Sequence, residues 1–103
     1  MSLCYPLVTL EFSGGCELLF HHQSSIKVMD EIPIGTTFSG LVGIIRSRYI
    51  AERPELFLDS AGLGLRPGIL ALVNDVDIEV VGGVEYVVQD RDVISFVSTL
   101  HGG

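Results

Sequence analysis

The amino-acid sequence predicts a single α+β domain in which several short strands accompany one amphipathic helix. Apolar residues alternate with polar ones near both ends of the chain, whereas in the middle they recur at helical spacing. The chain has 103 residues, of which 48% are hydrophobic and 18% are charged. This length suits one domain, and this composition supports an ordinary core rather than a disordered chain.

The first half of the chain predicts a hairpin followed by a helix. Alternating residues predict a strand at Tyr5–Phe12, Ser13–Gly15 predicts a turn, and Cys16–Phe20 is expected to return as a second strand. His21–Gly35 carries no clear period and is expected to be a long connection.

The helix is predicted from a stripe of apolar residues. Thr37 is its expected N-cap, and Arg53-Pro54 should end it, because the residue before a proline resists the α conformation. The stripe has the spacing i, i+3, i+4, i+7 and i+11 and comprises Phe38, Leu41, Val42, Ile45 and Tyr49.

The second half of the chain predicts extended segments separated by turns. Glu55–Pro67 is expected to be a loop. The extended segments that follow it are a buried strand at Gly68–Asn74, a short pairing strand at Ile78–Val81, a weaker extended segment at Val84–Val88 and a last strand at Val93–Thr99. The predicted order is therefore strand, strand, helix, strand, short strand, strand.

The charge of the chain limits its direct partners. Six Lys and Arg face thirteen Asp and Glu, which gives a net charge of −7. Nucleic acids and anionic membranes demand a cationic surface, so neither is expected to be a direct partner. No apolar run approaches the ~18 residues that a membrane span needs, and no cationic leader precedes an apolar segment. We therefore expect a soluble, cytoplasmic protein that docks onto basic partners.

The cysteines and the single lysine indicate no specific role. Cys4 and Cys16 are too few for a disulfide scaffold, and a hairpin that sets Phe12 opposite Cys16 keeps Cys4 far away, opposite Ser24. Both are expected to be free thiols. Lys27 lies in the predicted connection, and we expect an ordinary solvated side chain there.

Other motifs predict neither a catalytic site nor a metal site. The glycine-rich segment Gly62–Gly68 lacks the preceding strand and following helix of a phosphate-binding loop. His21, His22 and His101 do not have metal-ligand spacing. A nucleophilic pair of Cys16 and His21 would lack a third, orienting group.

Three Gly-Gly pairs occur, and one of them is not explained by a turn. Gly14-Gly15 and Gly82-Gly83 lie between predicted extended segments, whereas Gly102-Gly103 follows the last strand. A terminal carboxylate is a poor electrophile, so Gly103 would need conversion to an acyl-adenylate or thioester before a nucleophile attacks. Two residues without Cβ atoms could pass through the narrow channel of an activating enzyme.

The final segment, Val97–Gly103, resembles the terminus of the eukaryotic ubiquitin-related modifier family, whose members double as sulfur carriers in tRNA thiolation. The resemblance continues upstream over most of the chain, in Glu11–Phe20, Arg53–Phe57, Arg66–Leu70 and Val73–Asp75. It implies a β-grasp fold, in which a mixed sheet packs on one helix and the first and last strands are parallel neighbours. The domain would span residues 1–98, with a flexible tail at residues 99–103.

The resemblance also implies a function. An activating enzyme of the ubiquitin type, carrying a rhodanese domain, would consume ATP to adenylate Gly103 and then leave a thiocarboxylate there. The tRNA thiolation enzyme would use that sulfur for 2-thiolation of the wobble uridine, and lysines of target proteins would accept the chain as a modifier. Gly102 would be the flexible neighbour, and His101 and Leu100 would be recognition contacts. The chain itself would be a monomeric co-substrate that binds no cofactor and is not an enzyme.

Two alternatives remain at this point. A carrier for molybdopterin or thiamine synthesis would share the fold and the Gly-Gly end, although Thr99-Leu100-His101 is less similar to those tails. A non-covalent ubiquitin-like docking module would use the sheet surface and leave the tail without a role.

Overall fold

A computed structural model describes residues 5–51, 53–61 and 64–99. Within them a five-stranded mixed sheet has the order β2-β1-β5-β3-β4. The strands are β1 (Val8–Ser13), β2 (Ser25–Val28), β3 (Ile69–Val73), β4 (Val76–Asp77) and β5 (Val93–Ser98), and the α-helices are α1 (Phe38–Arg48) and α2 (Ile78–Val81). Short 3₁₀ helices lie at Cys16–Leu19, Pro54–Leu56 and Gly83–Glu85.

The two strands farthest apart in sequence lie side by side at the centre of the sheet. β1 runs parallel to β5, with Leu10 opposite Ile94 and Phe12 opposite Phe96, and all four side chains are buried. β2 and β3 flank this pair in antiparallel orientation. The predicted β-grasp fold, with parallel and adjacent first and last strands, is therefore confirmed.

Helix α1 packs its predicted apolar stripe against the sheet. The Thr37 hydroxyl accepts a hydrogen bond from the Gly40 amide at 3.2 Å, as expected of an N-cap. The helix ends at Arg48, earlier than Arg53-Pro54. The Ala51 amide donates to the Leu19 carbonyl at 2.8 Å, which draws the chain away from the helix before the proline is reached.

Stacked aromatic rings join the sheet to the loops beneath it. Phe12 stacks on Phe20 with 3.9 Å between ring centroids, and Phe57 meets Phe20 and Phe96 edge-on at 5.2 and 5.3 Å. Phe38 of α1 stacks on Phe96 at 6.1 Å. Aromatic pairs at these distances add to the stabilisation that burial provides.

In the part of the chain described, no helix has the length and apolarity that crossing a membrane requires.

The predicted second strand at Cys16–Phe20 is wrong, because this segment begins with a 3₁₀ helix. Gly15 has a φ of +103°, and its amide donates to the Glu17 carboxylate at 2.7 Å, which starts the turn. Cys16, Leu19 and Phe20 are buried, a helical spacing of i, i+3 and i+4. A short apolar run does not distinguish this arrangement from a strand.

The true partner of β1 is β2, which lies inside the predicted connection. The ladder sets Glu11 opposite Ser25, so the register that pairs Phe12 with Cys16 is also wrong. Lys27 lies on this edge strand, opposite Thr9, and its side chain is exposed. Only Val28 of β2 is buried, so the strand leaves no alternating apolar pattern in the sequence.

The short strand before β5 is displaced as well. β4 occupies Val76–Asp77, where a turn was expected, and Ile78–Val81 forms α2 instead of pairing. Asp77 caps α2 by accepting a hydrogen bond from the Glu79 amide at 2.9 Å. The extended segment predicted at Val84–Val88 begins in a 3₁₀ helix and then forms an isolated bridge with the residues around Thr37. The Phe38 amide donates to the Tyr86 carbonyl at 2.7 Å, and the Val88 amide donates to the Thr36 carbonyl at 2.9 Å.

Candidate functional site

The four predicted site residues, Leu100, His101, Gly102 and Gly103, lie outside the described residues. The structure instead describes the base from which they continue. We call this base the tail root and define it as Ser98 and Thr99 together with Gly14 and Gly68, the residues that contact them.

The sheet brings these residues together at one end. β1 and β5 are parallel, so both end at the same edge of the sheet, where Ser13 lies opposite Val97. β3 is antiparallel to β5 and therefore begins at that edge, with Ile69 opposite Ser98. The end of β5 thus lies between the turn that follows β1 and the turn that precedes β3.

On the β3 side, Thr99 makes two hydrogen bonds to one acceptor. Its amide donates to the Gly68 carbonyl at 2.8 Å, and its hydroxyl donates to the same oxygen at 2.6 Å. Gly68 has a φ of +99°, a conformation that favours glycine. It lies in a turn that is closed by a hydrogen bond from the Ile69 amide to the Arg66 carbonyl at 3.1 Å. The turn before β3 therefore holds the last described residue of the chain.

On the β1 side, the chain approaches β5 so closely that only glycine fits. Gly14 has a φ of +67°, and a Cβ built on it would lie 2.4 Å from the Ser98 carbonyl oxygen. That oxygen belongs to backbone, so it has little freedom to move aside. The predicted Gly14-Gly15 turn is confirmed, and the structure adds the reason for its first glycine.

The family described as Urm1 (ubiquitin related modifier) matches residues 7–103, which is nearly the whole chain. The chain belongs to the ubiquitin-related modifier family.

Relatives and solved structures agree with this assignment. The ubiquitin-related modifier 1 homolog 1 of Arabidopsis thaliana is 45% identical over 101 residues, covering 93% of this chain and 98% of the relative. Ubiquitin-related modifier 1 of Bos taurus is 44% identical over 100 residues, covering 93% of this chain and 94% of the relative. The solution structure of Urm1 from Trypanosoma brucei is 50% identical with a TM-score of 0.83, and the match covers 100% of both chains.

A more distant match supports the fold alone. The small archaeal modifier protein 1 of Methanosarcina acetivorans has a TM-score of 0.71 at 18% identity, covering 95% of this chain and 97% of that chain.

As a member of the ubiquitin-related modifier family, the chain is a small modifier protein and not itself a catalyst.

Cys16 lies next to the tail root but is not equipped as a nucleophile. It is a free cysteine and only 1% exposed, as expected for an ordinary core residue. Burial raises the pKa of its thiol to about 11, and the charge of Glu17 acts in the same direction. The thiol therefore stays protonated at neutral pH. His21, the conceivable base, is an exposed turn residue with a φ of +57°, and Cys4 lies outside the described residues.

The other candidate sites also lack convergent chemistry. Across residues 5–51, 53–61 and 64–99, no three His, Cys, Asp or Glu side chains are grouped to hold a metal ion. A groove of about 430 Å³ lies between α1, β3 and α2. Ser39 lines this groove, but no histidine or cysteine of the described residues does, so the hydroxyl has no imidazole or thiol base beside it.

Proposed function

We propose that the chain is a sulfur carrier that is activated at Gly103. An activating enzyme of the ubiquitin type would consume ATP to adenylate the glycine, and its rhodanese domain would supply the sulfur of the resulting thiocarboxylate. The observation that carries this proposal is the tail root, where a central strand delivers Thr99 between two fixed turns, with Gly102-Gly103 close behind in the sequence. The family match supports the proposal because it runs through Gly103.

The chemistry requires that the carboxylate leave the surface of the domain. A carboxylate oxygen of Gly103 would bond to the α-phosphorus of ATP while pyrophosphate leaves, and the outer sulfur of a persulfide on the rhodanese domain would then attack the carbonyl carbon while AMP leaves. A thiol of the enzyme would next attack the S–S bond of this acyl disulfide, which leaves the thiocarboxylate on Gly103 and a disulfide on the enzyme. The nucleotide belongs to the activating enzyme, so the contribution of this chain is to present a narrow carboxylate at the correct distance. A rigid base followed by two glycines suits this task.

We propose two uses for the activated glycine. The thiocarboxylate would pass its sulfur to the tRNA thiolation enzyme for 2-thiolation of the wobble uridine, and lysines of target proteins would accept the chain as a modifier. The net charge of −7 is consistent with tRNA being contacted by the thiolation enzyme and not by this chain. The exposed Lys27 of β2 is the one lysine that a second copy could modify.

The experiment changes the length and the bulk of the tail. Deletion of Gly103, or addition of one residue after it, should abolish ATP–pyrophosphate exchange catalysed by the cognate activating enzyme, because the carboxylate would no longer reach the α-phosphorus. Replacement of Gly102 and Gly103 by alanine should lower the exchange sharply through added Cβ bulk. Amide spectra would verify that each variant keeps the fold.

Undiminished exchange by the shortened chain would contradict the proposal. A second measurement is the intact mass of protein recovered from its native cell. A fraction heavier by the difference between sulfur and oxygen, located at Gly103, is expected for a carrier and not for a docking module.

A further inference from the structure

The last rung of the sheet is reinforced by a side chain. The backbone bond from Thr99 to Gly68 extends the β3–β5 ladder by one residue pair, and terminal rungs of this kind open easily. Here the threonine hydroxyl bonds to the second lone pair of the same carbonyl, at 2.6 Å. Opening the rung therefore breaks two hydrogen bonds to one oxygen.

The opposite side of the same peptide unit is confined by a close backbone contact. The Ser98 carbonyl meets Gly14 at a distance that excludes even a methyl group. The Ser98–Thr99 peptide is therefore confined from the β1 side by backbone contact and from the β3 side by two hydrogen bonds. Its orientation sets the direction in which the chain leaves the domain.

We propose that Thr99 is a positioning residue for the activation of Gly103, acting through the bond from its hydroxyl to the Gly68 carbonyl. This inference rests on the proposed function. Fixing the direction of the chain at residue 99 limits the space that the following carboxylate samples, which raises its effective concentration at the α-phosphorus of ATP. The hydroxyl itself touches neither nucleotide nor enzyme in this scheme.

The side chain of Thr99 is exposed, so its role in the core is small. If Thr99 only stabilised the fold, any substitution that leaves the domain folded would leave the rate of adenylation unchanged. A positioning threonine, in contrast, would affect the rate of adenylation while the affinity for the enzyme, which depends on the docking surface, stays the same.

The test compares substitutions that keep or remove the hydroxyl. Thr99→Val keeps the branched shape and loses the donor, and Thr99→Ser keeps the donor. Loss of one hydrogen bond predicts that Thr99→Val lowers kcat for ATP–pyrophosphate exchange about three- to tenfold and changes KM by less than about twofold. Thr99→Ser should stay near the wild-type value, and Thr99→Ala should behave like Thr99→Val.

A measurement without the enzyme tests the physical basis. Hydrogen exchange of the residue 99 amide should accelerate about three- to tenfold in Thr99→Val and stay near wild type in Thr99→Ser, because the rung opens more often without the hydroxyl. The amides of β1 and of residues 93–97 should be unaffected. Equal exchange at residue 99 in all variants would overturn the inference.

The kinetic outcomes separate this inference from the proposed function. If wild-type protein is adenylated and Thr99→Val is equally fast, the inference fails and the proposed function stands. A rise in KM with unchanged kcat would show that Thr99 is a docking contact, which also overturns it. If wild-type protein is not adenylated at all, the proposed function fails and the inference fails with it.

Discussion

The two ends of β5 are fastened in different ways. Just before the strand, Asp92 is only 4% exposed, and its carboxylate accepts hydrogen bonds from three donors. At the other end, Thr99 is exposed and Gly14 contacts the strand through backbone alone. The first end depends on a buried carboxylate, and the second depends on backbone contact and on the exposed Thr99 hydroxyl that bonds to the Gly68 carbonyl.

The Asp92 end joins three parts of the chain. Its carboxylate accepts from the Tyr86 hydroxyl at 2.6 Å, the Asn74 side-chain amide at 2.9 Å and the Gln89 backbone amide at 2.9 Å. Asn74 in turn accepts from the Val93 amide at 2.9 Å. Removing this one buried acceptor breaks three hydrogen bonds at once, which costs more than one exposed hydrogen bond contributes. We therefore expect one end of β5 to stabilise the fold, whereas the other end is the one proposed to position the tail.

The largest effect is expected at Gly14. Gly14→Ala should lower the free energy of unfolding by roughly 2–4 kcal/mol, because it combines an unfavourable φ with a contact to a backbone carbonyl that cannot move far. Gly15→Ala is the matched control, since its φ is also positive but no atom lies within 4 Å of the new Cβ. Urea unfolding measures both. Equal losses would show that strain in φ, and not contact with β5, makes Gly14 necessary.

The next effect is expected at Asp92. Asp92→Ala should destabilise by about 2–3 kcal/mol, because three donors lose their acceptor. Asp90→Ala is the control, since this exposed carboxylate accepts a hydrogen bond from the Leu7 amide at 2.8 Å and forms a solvent-exposed ion pair with Arg91 at 3.8 Å. The substitution should cost about 1 kcal/mol or less. Thermal unfolding measures both. A small loss at Asp92 would contradict the assignment of this end as the stabilising one.

Alkaline pH should weaken the Asp92 end. Burial raises the pKa of Tyr86 to about 12, and the hydrogen bond to Asp92 and its charge act in the same direction. An unfolded tyrosine titrates near ~10. The folded state therefore holds this proton more tightly, so its contribution to stability is complete below about pH 10 and is lost as the pH rises to about 12.

Tyr86→Phe should remove this part of the pH dependence, as measured by urea unfolding across the same range. The part of the pH dependence that comes from Tyr49 should persist, because the pKa of Tyr49 is also raised to about 12 by burial and by Glu31. An unchanged profile in Tyr86→Phe would show that Tyr86 is not coupled to folding.

The smallest effect is expected in α1, away from both ends of β5. A Cβ at Gly43 meets no atom within 4 Å, so Gly43→Ala should stabilise by roughly 0.5–1 kcal/mol through helix propensity. At Gly40 the new Cβ would lie 3.1 Å from the Thr36 methyl group, which should cancel most of the gain. Chemical denaturation of the two variants tests this difference. Destabilisation by Gly43→Ala would show that a contact at Gly43 excludes a side chain there.

Local periodicity was sufficient where one face of an element is buried over its whole length. The stripe of α1 and the alternation of β1 and β5 each predict the element and its buried face, and the apolar run Gly68–Asn74 predicts the strand that is β3. The structure confirms all four elements. The Gly-Gly end and the family resemblance are likewise visible in the amino-acid sequence alone. The predictions for the helix and for the two alternating strands hold because burial against a large core imposes a repeating pattern on the residues of each element.

The segments that were wrongly predicted are those decided by contacts distant in sequence. β2 exists because Ser25–Val28 pairs with the edge of β1, and backbone pairing leaves little trace in side chains that stay exposed. Ile78–Val81 has strand-forming residues, yet the Asp77 cap and packing beside β3 make it helical.

The tail root lies in the same category. Gly14, Gly68 and Thr99 are far apart in the chain, and none of them belongs to a periodic pattern. They come together only when β1, β3 and β5 place them at one edge of the sheet. The sequence alone identifies the glycine pair that is proposed to react, whereas the tertiary structure decides how the chain leading to it is held. A Cβ at Gly14 would lie 2.4 Å from the Ser98 carbonyl oxygen, and this close approach exists only because strands more than 80 residues apart pair with each other.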